Sequence, residues 1–301
     1  MAVSAVKHAE IGRLVRFSLT TADAGRLGAF YESAFGCRVP ATERRSGADF
    51  ERLMGVQGGA DSITLGLGQQ SIELLQFDRR GRPYPEASSS SDLVFQHFAL
   101  VVTDMKEAYR RLAAVEGWRA ISTNGPERLP VTSGGVSAFK FRDPDGHPLE
   151  LLAFPPGNVP PRWRRGSEGA ACLGIDHSAI CVRDSGRSIA FYAGLGLNEA
   201  ARSLNSGPEQ ERLDGIPQAR VAVTALAPRQ GTPHVELLCY QSAAHAAALT
   251  LRNNDVATTR LVLEMSNEPP TTTANRAARQ VLDPDGHHLL IVPPQPNPPG
   301  A

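Results

Sequence analysis

Residues 95–104 read FQHFALVVTD, and the same pattern returns three more times along the chain. It appears as LVRFSLTTAD at 14–23, as IDHSAICVRD at 175–184 and as TRLVLEMSN at 259–267. Seven residues before the Asp stand Arg16, His97 and His177 in three of the segments, and Arg260 falls at the matching place in the fourth. These positions are 81, 80 and 83 residues apart, and three nearly equal intervals mark an internal repeat. After the first three opening strands comes a helical pattern: DAGRLGAFYESAFG, DMKEAYRRLAAVEG and DSGRSIAFYAGLG. Each begins with an Asp, whose carboxylate accepts from the unpaired N–H groups of a helix start, and each ends near Gly. Every unit closes on a short β-rich run: SIELLQF (71–77), PLELLAF (148–154), HVELLCY (234–240) and HLLIVPP (288–294).

The repeat predicts an α+β fold of four tandem βαβββ modules. Phe30-Tyr31 and Phe191-Tyr192 sit at equal offsets from Arg16 and His177, and DPDGH precedes the closing strand at 143–147 and 283–287. The order is therefore A-B-A′-B′, a duplicated pair. Asp-Pro-Asp-Gly makes a turn because Pro fixes φ and Gly accepts φ > 0. His147, His287 and His288 after these turns read as solvent-facing or turn-stabilising. The stretch PPGNVPPRWRRGSEGAA (155–171) resists regular structure, which divides the chain into a domain at 10–155, a linker at 156–172 and a second domain at 173–294. Trp163 within it reads as linker packing, and Tyr31 and Tyr192 as helix-to-sheet packing. Module four is abbreviated: 30 residues separate Arg260 from Leu290, against 57, 53 and 59 between the corresponding positions of the others. Its segment NEPPTTTAN (267–275) carries two prolines and leaves no room for a good helix.

The totals exclude several classes. Lys plus Arg and Asp plus Glu each number 31, so no basic excess exists to follow a phosphate backbone, and nucleic acid is not an expected partner. No stretch approaches the roughly 20 apolar residues of a membrane span, and the N-terminus lacks a signal peptide's apolar run. Cys37, Cys172, Cys181 and Cys239 are far apart, as isolated reduced thiols are, and cytoplasm is the expected compartment.

Period two places the chemistry. In FQHFALVV, His97 shares a face with Ala99 and Val101; in PLELLAF, Glu150 shares one with Leu152 and Phe154. His177 and Glu236 occupy the matching places in module three. A carboxylate among apolar groups is costly unless a cation, metal or donor compensates it. A single strand histidine is more often a hydrogen-bonded core residue than a ligand, but here two recur at homologous positions, each with its Glu. His234, two residues before Glu236, is a candidate supporting residue, while His8 and His245 carry no signal.

The opening-strand His, the Asp-led helix and the Glu of an "hPLELL" strand resemble the vicinal oxygen chelate superfamily, which includes glyoxalase I, bleomycin-resistance proteins and extradiol dioxygenases. The resemblance implies that pairs of modules close two cup-shaped sheets, each around a divalent metal held by first and last strands. The corresponding positions are Arg16 and Glu73, His97 and Glu150, His177 and Glu236, and Arg260 and Leu290. Leu290 cannot ligate, and Arg16 would satisfy Glu73 as an ion pair in place of a metal; alternatively Arg16 and Arg260 serve an anionic substrate. If sequential modules pair, the first cup offers Glu73, His97, Glu150 and an intruding Arg16. If modules two and three pair, one cup holds His97, Glu150, His177 and Glu236, which suits one Ni, Zn, Co, Mn or Fe ion. The second arrangement is preferred because it explains why only the inner modules are intact. By the same resemblance the substrate is a small molecule with two adjacent oxygens, and Glu150 or Glu236 acts as ligand and proton-transferring base beside an enediolate-like intermediate, giving a lyase or isomerase. The alternatives are an Fe(II) extradiol dioxygenase, whose usual ligand places here hold Arg260 and Leu290, and a non-catalytic binding protein, to which an aromatic content of 6% lends little support. No residue is assigned to binding an organic cofactor, and a monomer or homodimer is expected.

Overall fold

The computed structural model of the chain describes residues 11–68, 70–164, 171–241, 249–266 and 277–294. His8, His245, the whole of NEPPTTTAN and the 165–170 part of the linker lie outside them. The described residues form an α+β fold with two sheets, one of seven strands and one of nine. No helix among them is long and apolar enough to cross a membrane.

The sheets mix the modules in a way that chain order hides. The opening strand of module two, Gln96–Val102, pairs antiparallel with that of module three, Cys172–Cys181. Modules two and three thus share the nine-stranded sheet, here termed the inner cup. Modules one and four share the other, the outer cup, through Ile11–Thr20 and Thr259–Met265.

Within each module the closing strand runs parallel beside the opening one, in a single recurring register. Glu150 lies opposite Ala99, Glu236 opposite Ala179, Glu73 opposite Ser18 and Leu290 opposite Val262. Each partner is two residues beyond the module's His or Arg, so all eight positions face into a cup. The alternate residues Phe17, Leu19, Ile72, Leu74, Phe98, Leu100, Leu149, Leu151, Ile180 and Leu261 face away. They join one core shared by the backs of both sheets, and the Phe17 and Phe98 rings meet across it at 5.3 Å.

The helices Ala24–Phe35, Met105–Ala113 and Ser185–Gly194 pack into this core, each capped as its Asp predicts. Asp23, Asp104 and Asp184 accept from the backbone N–H three residues on. Tyr31 and Tyr192 are fully buried on two of these helices. Each also donates from its hydroxyl to a DPDGH turn, Tyr31 to Asp143 at 3.1 Å and Tyr192 to Asp283 at 3.2 Å.

The turn histidines correct the sequence expectation, because all three are buried rather than solvent-facing. His147 donates through Nδ1 to Asp143 at 2.8 Å, and its Nε2 faces the carbonyls of Thr20 and Val256 at 3.0 and 2.9 Å. His287 donates to the Cys181 carbonyl at 2.8 Å, and His288 meets Gln280. His147 and His287 do stabilise their turns, by tying each to a strand end in the other sheet. Burial works against a charge on His147, but Asp143 outweighs it and its pKa is raised.

Two further short helices, Ala48–Met54 and Pro208–Asp214, are not part of the βαβββ pattern. They lie at matching points of modules one and three, in GADFERLMG (47–55) and GPEQERLDG (207–215).

Candidate metal centre

The inner cup brings all four inner-module residues to one cavity of about 190 Å3. Three of them cluster tightly: ligating atoms of His97, Glu150 and His177 all lie within 4.8 Å of one another. His97 Nε2 is 2.8 Å from Glu150 Oε2, and His177 Nε2 is 3.9 Å from the same oxygen. Glu236 stands beside this group, with Oε2 3.6 Å from His177 Nε2. It is also the most open of the four, its side chain 24% exposed against 8% or less for the others.

Several features fit an ion. Donors about 2.1 Å from a common centre stand about 3 Å apart when cis and about 4 Å when trans, and the 2.8 and 3.9 Å contacts to Glu150 Oε2 match these separations. His97 is 1% exposed, yet neither ring nitrogen makes a hydrogen bond. Its Nε2 is close to Glu150 without the alignment of a hydrogen bond. A buried polar atom left so is rare and costs about 1–3 kcal/mol.

The electrostatics follow from geometry. Burial lowers the His97 pKa and leaves the ring neutral, the state in which imidazole ligates. Burial would raise Glu150, but His97, Lys140 and His177 hold it below its ordinary value. Burial also opposes a charge on His177, yet Glu236, Asp176 and Glu150 outweigh it and lift the imidazole to about 9. The same attraction brings Glu236 down to about 2 against its own desolvation.

His177 is oriented by residues the sequence reading left out or ranked low. Its Nδ1 donates to Asp176 Oδ2 at 3.2 Å, leaving Nε2 to face the cavity. Asp176 is fixed in turn by Trp163 Nε1 at 3.0 Å and Arg162 at 2.9 Å, so Trp163 does more than pack the linker. A carboxylate behind a ligating histidine fixes its tautomer and raises its basicity. Adjacent strand residues normally point to opposite faces; here the strand is irregular between Ile175 and Ser178, and Asp176 and His177 meet. His234 supports Glu236, donating from Nε2 to Oε1 at 3.4 Å, and forms with Asp176 and His177 a second group of close ligating atoms.

Lys140 and Gln210 also line the cavity, and neither was picked out by the sequence reading. Lys140 Nζ donates to Asp214 Oδ1 at 2.7 Å, and Asp214 further accepts from Gln210 at 2.7 Å and Tyr240 at 2.8 Å.

The outer cup is built differently. Glu73 accepts from Arg16 at 3.0 Å, as expected, and pairs with Arg45 at 2.9 Å. Burial works against its charge, but Arg16 and Arg45 hold its pKa down. Arg260 is fully buried and donates to Ser18, Thr20 and Asn253. Burial lowers its pKa to about 10. Leu290 packs with Met54, Phe50, Leu53, Phe77 and Val262. A more open groove of about 360 Å3 runs along the rim by Arg13, Arg16 and Glu264. Among the described residues, groups of three close ligating side chains occur only in the inner cup.

A family model described as the Glyoxalase/Bleomycin resistance protein/Dioxygenase superfamily matches residues 13–151 and 174–291. Glyoxalase I from Zea mays is similar in fold, with a TM-score of 0.59 at 18% identity, covering 93% of this chain and 92% of its own. A putative dioxygenase from Bacillus subtilis gives 0.57 at 12% identity, covering 96% of this chain and 87% of its own. No curated protein sequence matches the chain.

Proposed function

Because the chain belongs to the Glyoxalase/Bleomycin resistance protein/Dioxygenase superfamily, we propose that its inner cup holds one divalent metal ion and acts on a small substrate with two adjacent oxygens, as a glyoxalase-type lyase or isomerase. The observation that carries this reading is the convergence of His97, Glu150 and His177 from two modules to within 4.8 Å. These three would hold the ion, with Glu236 beside them as the fourth donor. Two imidazoles and two carboxylates suit Ni, Zn, Co, Mn or Fe. When bound, such an ion polarises the paired oxygens and stabilises the negative charge that develops on them.

The remaining chemistry belongs to the chain. Glu236 suits the proton-moving role better than Glu150, because it stands outside the tight group and reaches solvent. It takes a proton from the carbon next to a carbonyl and returns it to the neighbouring carbon. His234 orients the carboxylate, and Asp176 with Trp163 orients His177. The cavity is smaller than the roughly 300–1,000 Å3 of ordinary small-molecule sites, so the reacting end of the substrate is compact. Four free thiols, three of them buried, suit a reducing compartment such as the cytoplasm.

The second reading rests on the same three residues. Two histidines and one carboxylate form the set that non-haem Fe(II) oxygenases use. One screen separates the two: protein loaded with Ni or Zn is given the hemithioacetal of methylglyoxal, and protein loaded with Fe(II) is given catechols under oxygen. Isomerisation that disappears in Glu236→Gln supports the glyoxalase reading. Ring opening with Fe(II) alone replaces it with the oxygenase reading, and metal-loaded protein that transforms neither class refutes both as stated.

A further inference from the structure

We propose that Lys140 is a substrate-binding residue that receives an anionic oxygen, and that the inner cup therefore selects a 2-hydroxy- or 2-oxocarboxylate over its neutral analogues. The inference rests on the reading of the inner cup as a site for a small, oxygen-chelated substrate, and it names the charge that substrate carries.

Register places Lys140 directly opposite Glu150 on the neighbouring strand, on the same face. The corresponding residues opposite Glu73, Glu236 and Leu290 are Thr64, Ala225 and Gln280, so module two alone puts a cation there. Its counter-ion is equally specific to this cup. Asp214 ends the helix Pro208–Asp214, and the matching residue of Ala48–Met54 is Met54. Likewise Gln210 corresponds to Phe50. An apolar plug has thus been exchanged for a polar support behind one ammonium group.

The support is one-sided. Asp214 is fully buried and does not line the cavity, whereas Lys140 does. Gln210 and Tyr240 both donate to the Asp214 carboxylate and fix it behind the lysine. An ammonium group has three N–H donors, and among the described residues Asp214 is the hydrogen-bond partner the structure gives Lys140. Two donors are left to the cavity side, next to the residue proposed to hold the ion. A 2-hydroxy- or 2-oxocarboxylate meets both demands at once: one carboxylate oxygen and the 2-oxygen form the adjacent pair, and the other carboxylate oxygen accepts from Lys140. Burial opposes the charge on Lys140, but Asp214 and Glu150 sustain it.

The test compares glycolate with its neutral amide, glycolamide, by calorimetric titration of the full chain, Ni-loaded and chelator-treated, with nickel content measured separately. Wild type is expected to favour glycolate, and Lys140→Met to reduce that preference about 10- to 100-fold while keeping its nickel. Asp214→Asn removes the neutraliser but leaves Glu150, the other carboxylate that sustains the ammonium, so the preference is expected to stay or grow. A purely structural Lys140–Asp214 clamp predicts instead that both variants lose it together. Should Lys140→Met fail to fold, Asp214→Asn decides: a retained preference supports the inference, and a lost one overturns it. An unchanged preference in Lys140→Met, or none in wild type, also overturns it. Absence of nickel binding refutes the metal reading instead, and the chelator-treated comparison still decides the role of Lys140.

Discussion

The two cups share one plan, and position by position they part ways in chemistry. Modules one and four of the outer cup correspond to modules three and two of the inner. Arg16 thus matches His177, Arg260 matches His97, Leu290 matches Glu150, and Glu73 matches Glu236. Where the inner cup has imidazoles whose Nε2 atoms face a cavity, the outer has Arg16, which pairs with the remaining carboxylate of Glu73, and Arg260, which donates to Ser18, Thr20 and Asn253. Where the short inner helix turns Gln210 and Asp214 inward, the outer one turns Phe50 and Met54. A buried charge has to be neutralised in either case. The outer cup does it permanently, with arginine and apolar packing, and so contributes stability; the inner cup leaves close, unsatisfied donors that an ion would complete.

The largest effect expected from this contrast is on the outer side. Glu73→Leu leaves Arg16 and Arg45 without their shared carboxylate and removes the negative charge that favours the fully buried Arg260. It should lower stability by about 3–5 kcal/mol in denaturant unfolding, with metal content unchanged. Equal metal loss would erase the distinction between the cups. Met54→Ala empties part of the outer plug and should cost about 2–5 kcal/mol, again without touching metal content.

The inner side should respond in affinity. Asp176→Asn removes the negative charge behind His177 and is expected to weaken nickel binding about 10- to 100-fold in a competition titration. An unchanged affinity would show that Asp176 does not tune His177 as a ligand.

Much of this contrast was legible in the sequence, and the parts that were not have physical reasons. The equal spacing of Arg16, His97, His177 and Arg260 gave the modules, and period two gave the inward face of Glu73, Glu150 and Glu236. The preference for pairing modules two and three matched the observed sheets, but it rested on which modules kept both ligand types, since chain order cannot reveal strand pairing. Lys140 escaped notice because SAFKFR alternates like any strand with a solvated face. Its neutraliser lies in another module, 74 residues on, and no local pattern joins the two. The helices Ala48–Met54 and Pro208–Asp214 are seven residues each, too short for a periodic signal. Asp176 was hidden by the strand irregularity that turns it toward His177, and His147 by a turn that packs against the other sheet instead of facing water.

The smallest expected effect is on pH. In the metal-free protein His177 titrates near 9, above its ordinary 6.5. Its contribution to stability is therefore fully present below pH 6.5 and is lost as pH rises through about 9. At pH 7 the imidazolium must give up a proton to ligate, so nickel uptake should release about one proton and tighten roughly tenfold per pH unit from pH 7 to 8. Titrations in buffers of different ionisation enthalpy count that proton, and uptake independent of pH would place the ion away from His177.

Whether the inner cup holds the ion is decided by the nickel content per chain after loading and desalting, in wild type, His97→Ala, His177→Ala and Arg16→Ala. One ion is expected in wild type and in Arg16→Ala, and none in either histidine variant. An ion retained by both histidine variants, or lost only with Arg16, would contradict that placement.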